Sequence, residues 1–516
     1  MKEYDVLIIG GGITGVGTAR DCAMRGLKTI LVERQDLTNG ATGRNHGLLH
    51  SGARYAVNDP DSAAECIREN RTLRRIASAC IEPTDGLFLS LPEDDPEYRK
   101  QFLNACKGAG IDAREMDPAE VLRMEPAVNR DIVGAVKVPD ASVDPFRLAT
   151  ANAVDARLHG ATILTYHEVV SLIVENGTVL GARLRDVNTG EMSSVHASVT
   201  VNAAGVWGQN IAALAGVELK LLPSKGSLLI FGHRVARMTL NRCRKPSSAD
   251  ILVPGDVVSV LGTTSSKVSL EECDNIRVTA DEVTELLTEG CMLAPVLAQT
   301  RVLRAYAGVR PLYSASDDPT GRDVSRGITL IDHEQRDGLA GFISVSGGKL
   351  TTYRLMAQQT TDLVCRKLKI RRKCRTADQV LPGSEKDVFP EKATLGHKAA
   401  EVRHGTRISQ MDFASKPEVL CGCEHVTRAE IAYAVKYLDV HNLLELRRRT
   451  RVGMGTCQGS FCMGKVAAAL AEELGRPEDT DKLIAQYVQE RWKGIAPVCW
   501  GESLREAEYM RKLYKK

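Results

Sequence analysis

The apolar run Val6-Leu7-Ile8-Ile9 reads as a buried strand over residues 4–9. A helix-periodic stretch over 14–25, closed by Gly26, and a second apolar run over 29–32 complete a βαβ opening. Between about 40 and 365, short β-rich runs such as 161–165, 199–202 and 227–231 alternate with helix-periodic stretches such as 63–77 and 145–157. That mixture predicts an α/β protein: a Rossmann-like nucleotide domain (about 1–75, 145–215 and 325–365) interleaved with a mixed-sheet substrate domain (about 76–144 and 216–324). Beyond residue 365 the pattern fades. Residues 367–375 are strongly basic and 366–416 lack apolar periodicity, so this stretch reads as a linker. Helical patterns return over 427–437, 443–449, 464–474 and 481–493, within a small helical module over 417–516.

A chain of 516 residues exceeds what one core usually organises. Its net charge of +3 gives no support for nucleic-acid binding. No run approaches the roughly 18 apolar residues of a spanning helix, and no leader pattern precedes Val6. The chain therefore reads as cytoplasmic, with any membrane contact peripheral. Of its 14 cysteines, ten are scattered singly and read as reduced thiols.

Gly10-x-Gly12-x-x-Gly15 follows a strand and opens a helix, and Glu33 ends the second strand. Gly10 permits a tight turn, Gly12 lets the backbone approach a pyrophosphate, Gly15 allows close helix–strand packing, and Glu33 can accept from a ribose hydroxyl. NAD and FAD both fit this fingerprint. Asn202-Ala-Ala204-Gly205 and Ser346-Gly-Gly348-Lys349-Leu350-Thr351-Thr-Tyr353 each end a strand and supply small residues where a flat ring can lie on backbone. Together with Thr42-Gly-Arg44-Asn45 and His50, they resemble the FAD-dependent glycerol-3-phosphate dehydrogenase family within the glycine-oxidase-like flavoproteins. The resemblance implies FAD, surrounded by Gly10, Gly12, Gly15, Glu33, Thr42, Asn45, Ala204, Gly205, Gly348, Lys349, Leu350 and Thr351.

It also implies substrate contacts at Arg54, Tyr55, Arg310, Arg326 and Lys349. Planar guanidinium groups with an added lysine charge suit a phosphate ester, although a surface ion pair would equally account for Arg326 taken alone. Oxidation of a secondary alcohol needs a base for the hydroxyl proton. His50 is the candidate, with Arg310 as its catalytic companion; a histidine packed on the flavin edge is the structural alternative, and His233 is a second choice.

Cys421-Gly-Cys423 and Cys457-x4-Cys462 form two pairs separated by 33 residues. Structural zinc usually takes pairs two to four residues apart, so the single-residue gap argues against it. Four thiolates suit a [2Fe–2S] centre, although the spacing is neither plant-type nor bacterial ferredoxin. The pattern resembles the bacterioferritin-associated ferredoxin-like module; zinc and a disulfide remain alternatives. Cys499 lacks a partner at ligand spacing and reads as structural. Arg447-Arg448-Arg449 and Arg451 read as a solvated helix face or as compensation for an anionic cluster or an acidic partner. The basic run 367–373 admits the same reading, or contact with an anionic membrane.

Joined, the two halves resemble the anaerobic, multi-subunit branch of the glycerol-3-phosphate dehydrogenases. Residues 40–55, Val143-Asp-Pro-Phe-Arg147, Cys243-Arg-Lys-Pro246, Leu252-Val-Pro-Gly255 and 447–458 carry that likeness. It implies oxidation of sn-glycerol 3-phosphate to dihydroxyacetone phosphate with FAD taking the hydride. Electrons would leave through the iron–sulfur centre and partner subunits, a second subunit and a membrane-anchoring iron–sulfur subunit, to membrane quinone. The rival readings are a flavin oxidase or dehydrogenase for an amino acid or 2-hydroxy acid, and a non-catalytic electron-transfer protein.

Overall fold

The computed structural model describes residues 3–313, 327–385 and 394–514, and among these it builds two large sheets of eight and nine strands. The strand Glu3–Ile9 lies in the middle of the first, parallel to Thr29–Val32 on one side and to Met192–Asn202 on the other. Thr162–Leu164 extends the parallel set beyond the second strand, and Phe342–Gly347 joins it beside residues 200–202. The antiparallel hairpin of His167–Glu175 and Thr178–Asp186 adds to the first half of Met192–Asn202.

Strand alternation splits the opening apolar run between two cores. Val6 and Ile8 pack in the core that holds residues of the helices Ile13–Met24, Pro145–Leu158 and Tyr353–Lys367; Leu7 and Ile9 pack with the hairpin. Close helix contact needs glycine at position 17, where a Cβ would stand 2.8 Å from the Tyr353 ring.

The second sheet covers the first through one long antiparallel pair, Leu221–Phe231 with Val302–Tyr313, in which Gly226 faces Gly308 and Ser224 faces Arg310. Gly308 is where this sheet meets the loop after the second strand. A Cβ there would lie 2.2 Å from the Arg44 carbonyl oxygen.

The stretch expected as a linker is packed at both ends. Buried Arg20, paired with Asp155 at 2.6 Å, also donates to the carbonyls of Thr376 and Gln379, and Leu381 enters the core beside Ile76. The helix Leu395–His404 belongs to the C-terminal module, where Arg403 and His404 meet buried Glu430 at 2.6 and 2.8 Å. The basic run is also used internally: Lys367 pairs with Asp332 and Glu334, and Arg372 donates to the Arg25 carbonyl.

The expected solvated face of Leu443–Thr450 is instead a joint. Arg448 and Arg449 both close on buried Asp36, while Arg451 meets Asp144, Asp256 and Glu424. These carboxylates lie 195 to 413 positions away in sequence or on a separate loop, so local charge patterning could not pair them. Tyr166 donates to Glu445 across the same joint. Among the described residues no helix is long and apolar enough to cross a membrane.

Candidate active site and iron–sulfur loops

A cavity of about 620 Å³ runs along the carboxyl ends of the parallel strands and under the long antiparallel pair. At one end stand Gly10, Gly12 and the first turn of Ile13–Met24, whose Ile13 N–H donates to Thr42 Oγ1 at 3.0 Å. A Cβ on Gly10, with φ of +114°, would lie 2.6 Å from the Ala203 carbonyl oxygen. Gly15 is beneath this turn, where a Cβ would strike the Gly10 carbonyl. The exposed backbone and the helix N-terminus suit a pyrophosphate.

Glu33 lines the same end. It accepts from the Gly11 N–H (2.6 Å) and the Gln35 N–H (2.9 Å), while burial pushes its carboxyl up against those donors. Each carboxylate oxygen keeps a second lone pair for a ribose hydroxyl. Arg34 lies over the Trp207 ring at 4.5 Å, and both residues line the cavity.

At the other end the walls are Ala204, Gly205, Gly226, Leu228, Gly308, Gly348, Lys349 and Leu350, the breadth and small side chains that a flat ring system needs. Asn45 also lines the cavity, but its side chain organises the loop: Nδ2 donates to the Thr42 carbonyl (2.6 Å) and Oδ1 accepts from Gly47 N–H (2.8 Å). Thr351 is buried outside the lining and accepts from the His50 N–H at 3.1 Å.

Four of the expected substrate and catalytic residues converge here. His50, Tyr55, Arg310 and Lys349 all line the cavity. The His50 and Tyr55 rings lie 5.3 Å apart, and Lys349 Nζ is 4.6 Å from the Tyr55 ring centre. Arg310 is held by Thr263 Oγ1 (2.6 Å), Ser224 Oγ (3.3 Å) and the carbonyls of Lys225 and Thr264 (both 3.3 Å).

Arg54 departs from expectation. Its guanidinium turns away to Asp250 (3.1 Å) and the Ser247 carbonyl, outside the lining, because the buried Asp250 carboxylate needs cations and takes both Arg54 and Arg244. His233 is exposed at the end of Leu221–Phe231, away from the cavity, so it is no candidate base. Arg326 lies outside the described residues.

The cysteine quartet occupies two loops of the C-terminal module. Cys421 ends the short strand Val419–Cys421, and Cys462 caps the helix Met463–Glu473. Cys423 Sγ lies 3.9 Å from both Cys421 Sγ and Cys457 Sγ. Cys421 also contacts Cys462, so all four thiols come together, as a two-iron cluster that takes its thiolates as two pairs requires. The second loop is pinned from outside: Tyr487 OH donates to the carbonyls of Gln458 (2.8 Å) and Gly453 (3.3 Å), and Gln458 Nε2 donates to those of Met454 and Gly455. A Cβ on Gly455 would stand 2.5 Å from Cys423 Sγ, so this approach requires glycine. The other ten cysteines form no disulfide.

The model of the FAD dependent oxidoreductase family matches residues 5–363, and that of the BFD-like [2Fe-2S] binding domain matches 419–472. Over 526 aligned residues the chain is 55% identical to the A component of the anaerobic glycerol-3-phosphate dehydrogenase of Escherichia coli strain K12, covering 100% of this chain and 96% of that one. The chain belongs to the family of that anaerobic glycerol-3-phosphate dehydrogenase component. The A1 component of the anaerobic glycerol-3-phosphate dehydrogenase of Haloferax volcanii is 43% identical, covering 99% of this chain and 90% of the relative. The solved glycerol-3-phosphate dehydrogenase of Bacillus halodurans, complexed with FAD, superposes with a TM-score of 0.73 at 23% identity, covering 97% of each chain, and shares the fold.

As a member of this family the chain is a flavoprotein oxidoreductase that carries FAD and a [2Fe–2S] centre. The cavity and the pinned cysteine loops fit those two groups. Sequence reasoning did not find the Arg34–Trp207 pair or the cradle of Ser224 and Thr263 behind Arg310. Neither carries a motif: the partners come from separate strands and loops.

Proposed function

We propose that the chain oxidises sn-glycerol 3-phosphate to dihydroxyacetone phosphate and passes the electrons on to partner subunits. The observation that carries the reading is the convergence of Arg310, Lys349, Tyr55 and His50 at the ring end of the FAD cavity. FAD supplies a two-electron hydride acceptor, and the iron–sulfur centre a one-electron carrier.

In this reading Arg310 and Lys349 hold the phosphate. The Arg310 contacts to Ser224, Lys225 and Thr264 are long, at 3.3 Å, and can exchange for shorter charge-assisted bonds to phosphate oxygens. Tyr55 supports the Lys349 ammonium from one side and the His50 ring from the other. The His50 imidazole takes the C2 hydroxyl proton as hydride leaves C2, and its backbone is fixed by Thr351. An amino acid or 2-hydroxy acid presents a carboxylate, for which this pair of cations is more than is needed. Electron exit is supported by Phe461, 88% exposed beside Cys462, where an apolar ring at the cluster suits a docking partner. Such partners, a second subunit with a membrane-anchoring iron–sulfur subunit, would place the chain at the cytoplasmic membrane and connect it to quinone.

The test is an anaerobic titration of the FAD-loaded chain with sn-glycerol 3-phosphate, following flavin absorbance and the paramagnetic resonance of the cluster. Bleaching followed by a reduced [2Fe–2S] signal is expected. Bleaching by a 2-hydroxy acid or amino acid, but not by glycerol 3-phosphate, would overturn the substrate assignment.

A further inference from the structure

A second cavity, of about 570 Å³, lies between the FAD cavity and the cysteine loops. It shares Asn39, Arg44, Asn45 and His46 with the first and reaches Arg451 and Met454 on the far side. Its apolar wall includes Phe146, Ile230, Val258 and Tyr306, the last donating to the Asn45 carbonyl at 2.7 Å. Of the seven arginines that also line it, three come from different parts of the chain and bear on what it holds: Arg44, Arg304 and Arg447.

Their partners set them apart. Arg448, Arg449 and Arg451 all pair with carboxylates, whereas Arg44, Arg304 and Arg447 have none within 4 Å among the described residues. The Nε atoms of Arg304 and Arg447 are buried and make no hydrogen bond. Six carboxylates also line the chamber; of these Glu490 is engaged by Lys493 at 2.9 Å, Glu82 by Arg234, Asp274 by Arg34, and Asp144 and Asp256 by Arg451. Burial, reinforced by Arg304, pushes the Arg447 guanidinium down to about 9; burial also pushes Arg304 and Arg44 down. Half-buried guanidinium groups with no carboxylate in ion-pair range, two of them with buried, unbonded Nε atoms, are unfavourable. Gathering three of them around a chamber of ligand size makes sense when an anion completes the set.

We propose that this chamber is a second anion site, binding an organic phosphate of about mononucleotide size through Arg44, Arg304 and Arg447. Phosphate oxygens take the guanidinium donors, and the apolar wall takes the organic part. The site is distinct from the phosphate position at Arg310, which opens on the other cavity.

The probes are adenosine monophosphate and sn-glycerol 3-phosphate, titrated calorimetrically into the FAD-loaded chain so that the dinucleotide site is filled. Wild type and R310M are expected to bind adenosine monophosphate saturably at one site, and R304M/R447M to bind it at least about ten-fold more weakly. Without ligand, R304M/R447M is expected to melt no lower than wild type, because the variant removes two half-buried charges that lack an ion-pair partner; the single variant R44M gives an independent check on binding. Residual binding of glycerol 3-phosphate to R310M, lost in R310M/R304M/R447M, would also support the site. Unchanged adenosine monophosphate affinity in both R304M/R447M and R44M, or no saturable binding to wild type, would overturn it.

Discussion

Arg449 and Asp36 form a buried ion pair, 2.5 Å from guanidinium to carboxylate, across the joint between the cluster module and the loop after the second strand of the FAD sheet. Each side chain is 3% exposed, and Arg448 adds a second contact at 2.7 Å. Removing one partner of such a pair leaves a buried charge uncompensated, at a cost of about 3–5 kcal/mol. D36N is therefore expected to lower the denaturation midpoint of the joint. Substrate should still bleach the flavin at the wild-type rate, with reduction of the cluster slowed; unchanged denaturation and unchanged cluster reduction would refute the role. The two arginines hold the Asp36 carboxyl below its ordinary range despite burial. Its stabilising contribution is thus present above about pH 4 and fades only as pH falls further.

His404 gives the module an acid sensitivity at higher pH. It is buried against Glu430 at 2.8 Å, and burial pushes its imidazole down to about 4 from 6.5. The unfolded chain then binds a proton between those values that the folded chain does not. Stability is full above about 6.5 and declines as pH falls toward 4, by as much as ~3 kcal/mol. H404Q, which keeps a donor for Glu430, is expected to flatten the melting-temperature profile between pH 4 and 6.5.

R310M and R54A separate the two arginines that sequence reasoning grouped together. R310M loses a charge-assisted contact worth roughly 1.5–3 kcal/mol, so kcat/KM for glycerol 3-phosphate should fall about 10- to 150-fold. R54A leaves Asp250 still paired with Arg244 at 2.9 Å; it is expected to lower the melting temperature with KM unchanged. Equal effects of both variants on KM would place Arg54 in the site after all.

C423S should remove the visible absorption of the iron–sulfur centre while leaving flavin bleaching by substrate intact, because the quartet belongs to a core of its own. Loss of bleaching as well would mean that the two centres depend on each other for folding.

The features legible in the sequence were those encoded over short range. The Gly10-to-Glu33 fingerprint, the doubly buried run of Val6 to Ile9 and the cysteine quartet are each read within 42 neighbouring residues or fewer. Arg54 could not be placed from sequence, because its partner Asp250 lies 196 positions away. The same limit hid the role of Arg448 and Arg449, whose helix looks solvated until Asp36 is brought beneath it. The helix Leu395–His404 escaped notice for another reason: it carries little apolar periodicity, and its contact with the module runs through Arg403, His404 and Glu430 instead.

Arg20, in the first helix, pairs with Asp155 through Nε, but its two terminal nitrogens find their partners on the carbonyls of Thr376 and Gln379. A ribosome that has released the opening βαβ unit must therefore add roughly 350 residues before the buried Arg20 guanidinium has all its partners. Phe342–Gly347, which flanks the same sheet, also arrives late. Cofactor capture during synthesis must wait for nearly the whole flavin domain, and a nascent chain halted before residue 376 would present the glycine loop with its supporting helix still incomplete.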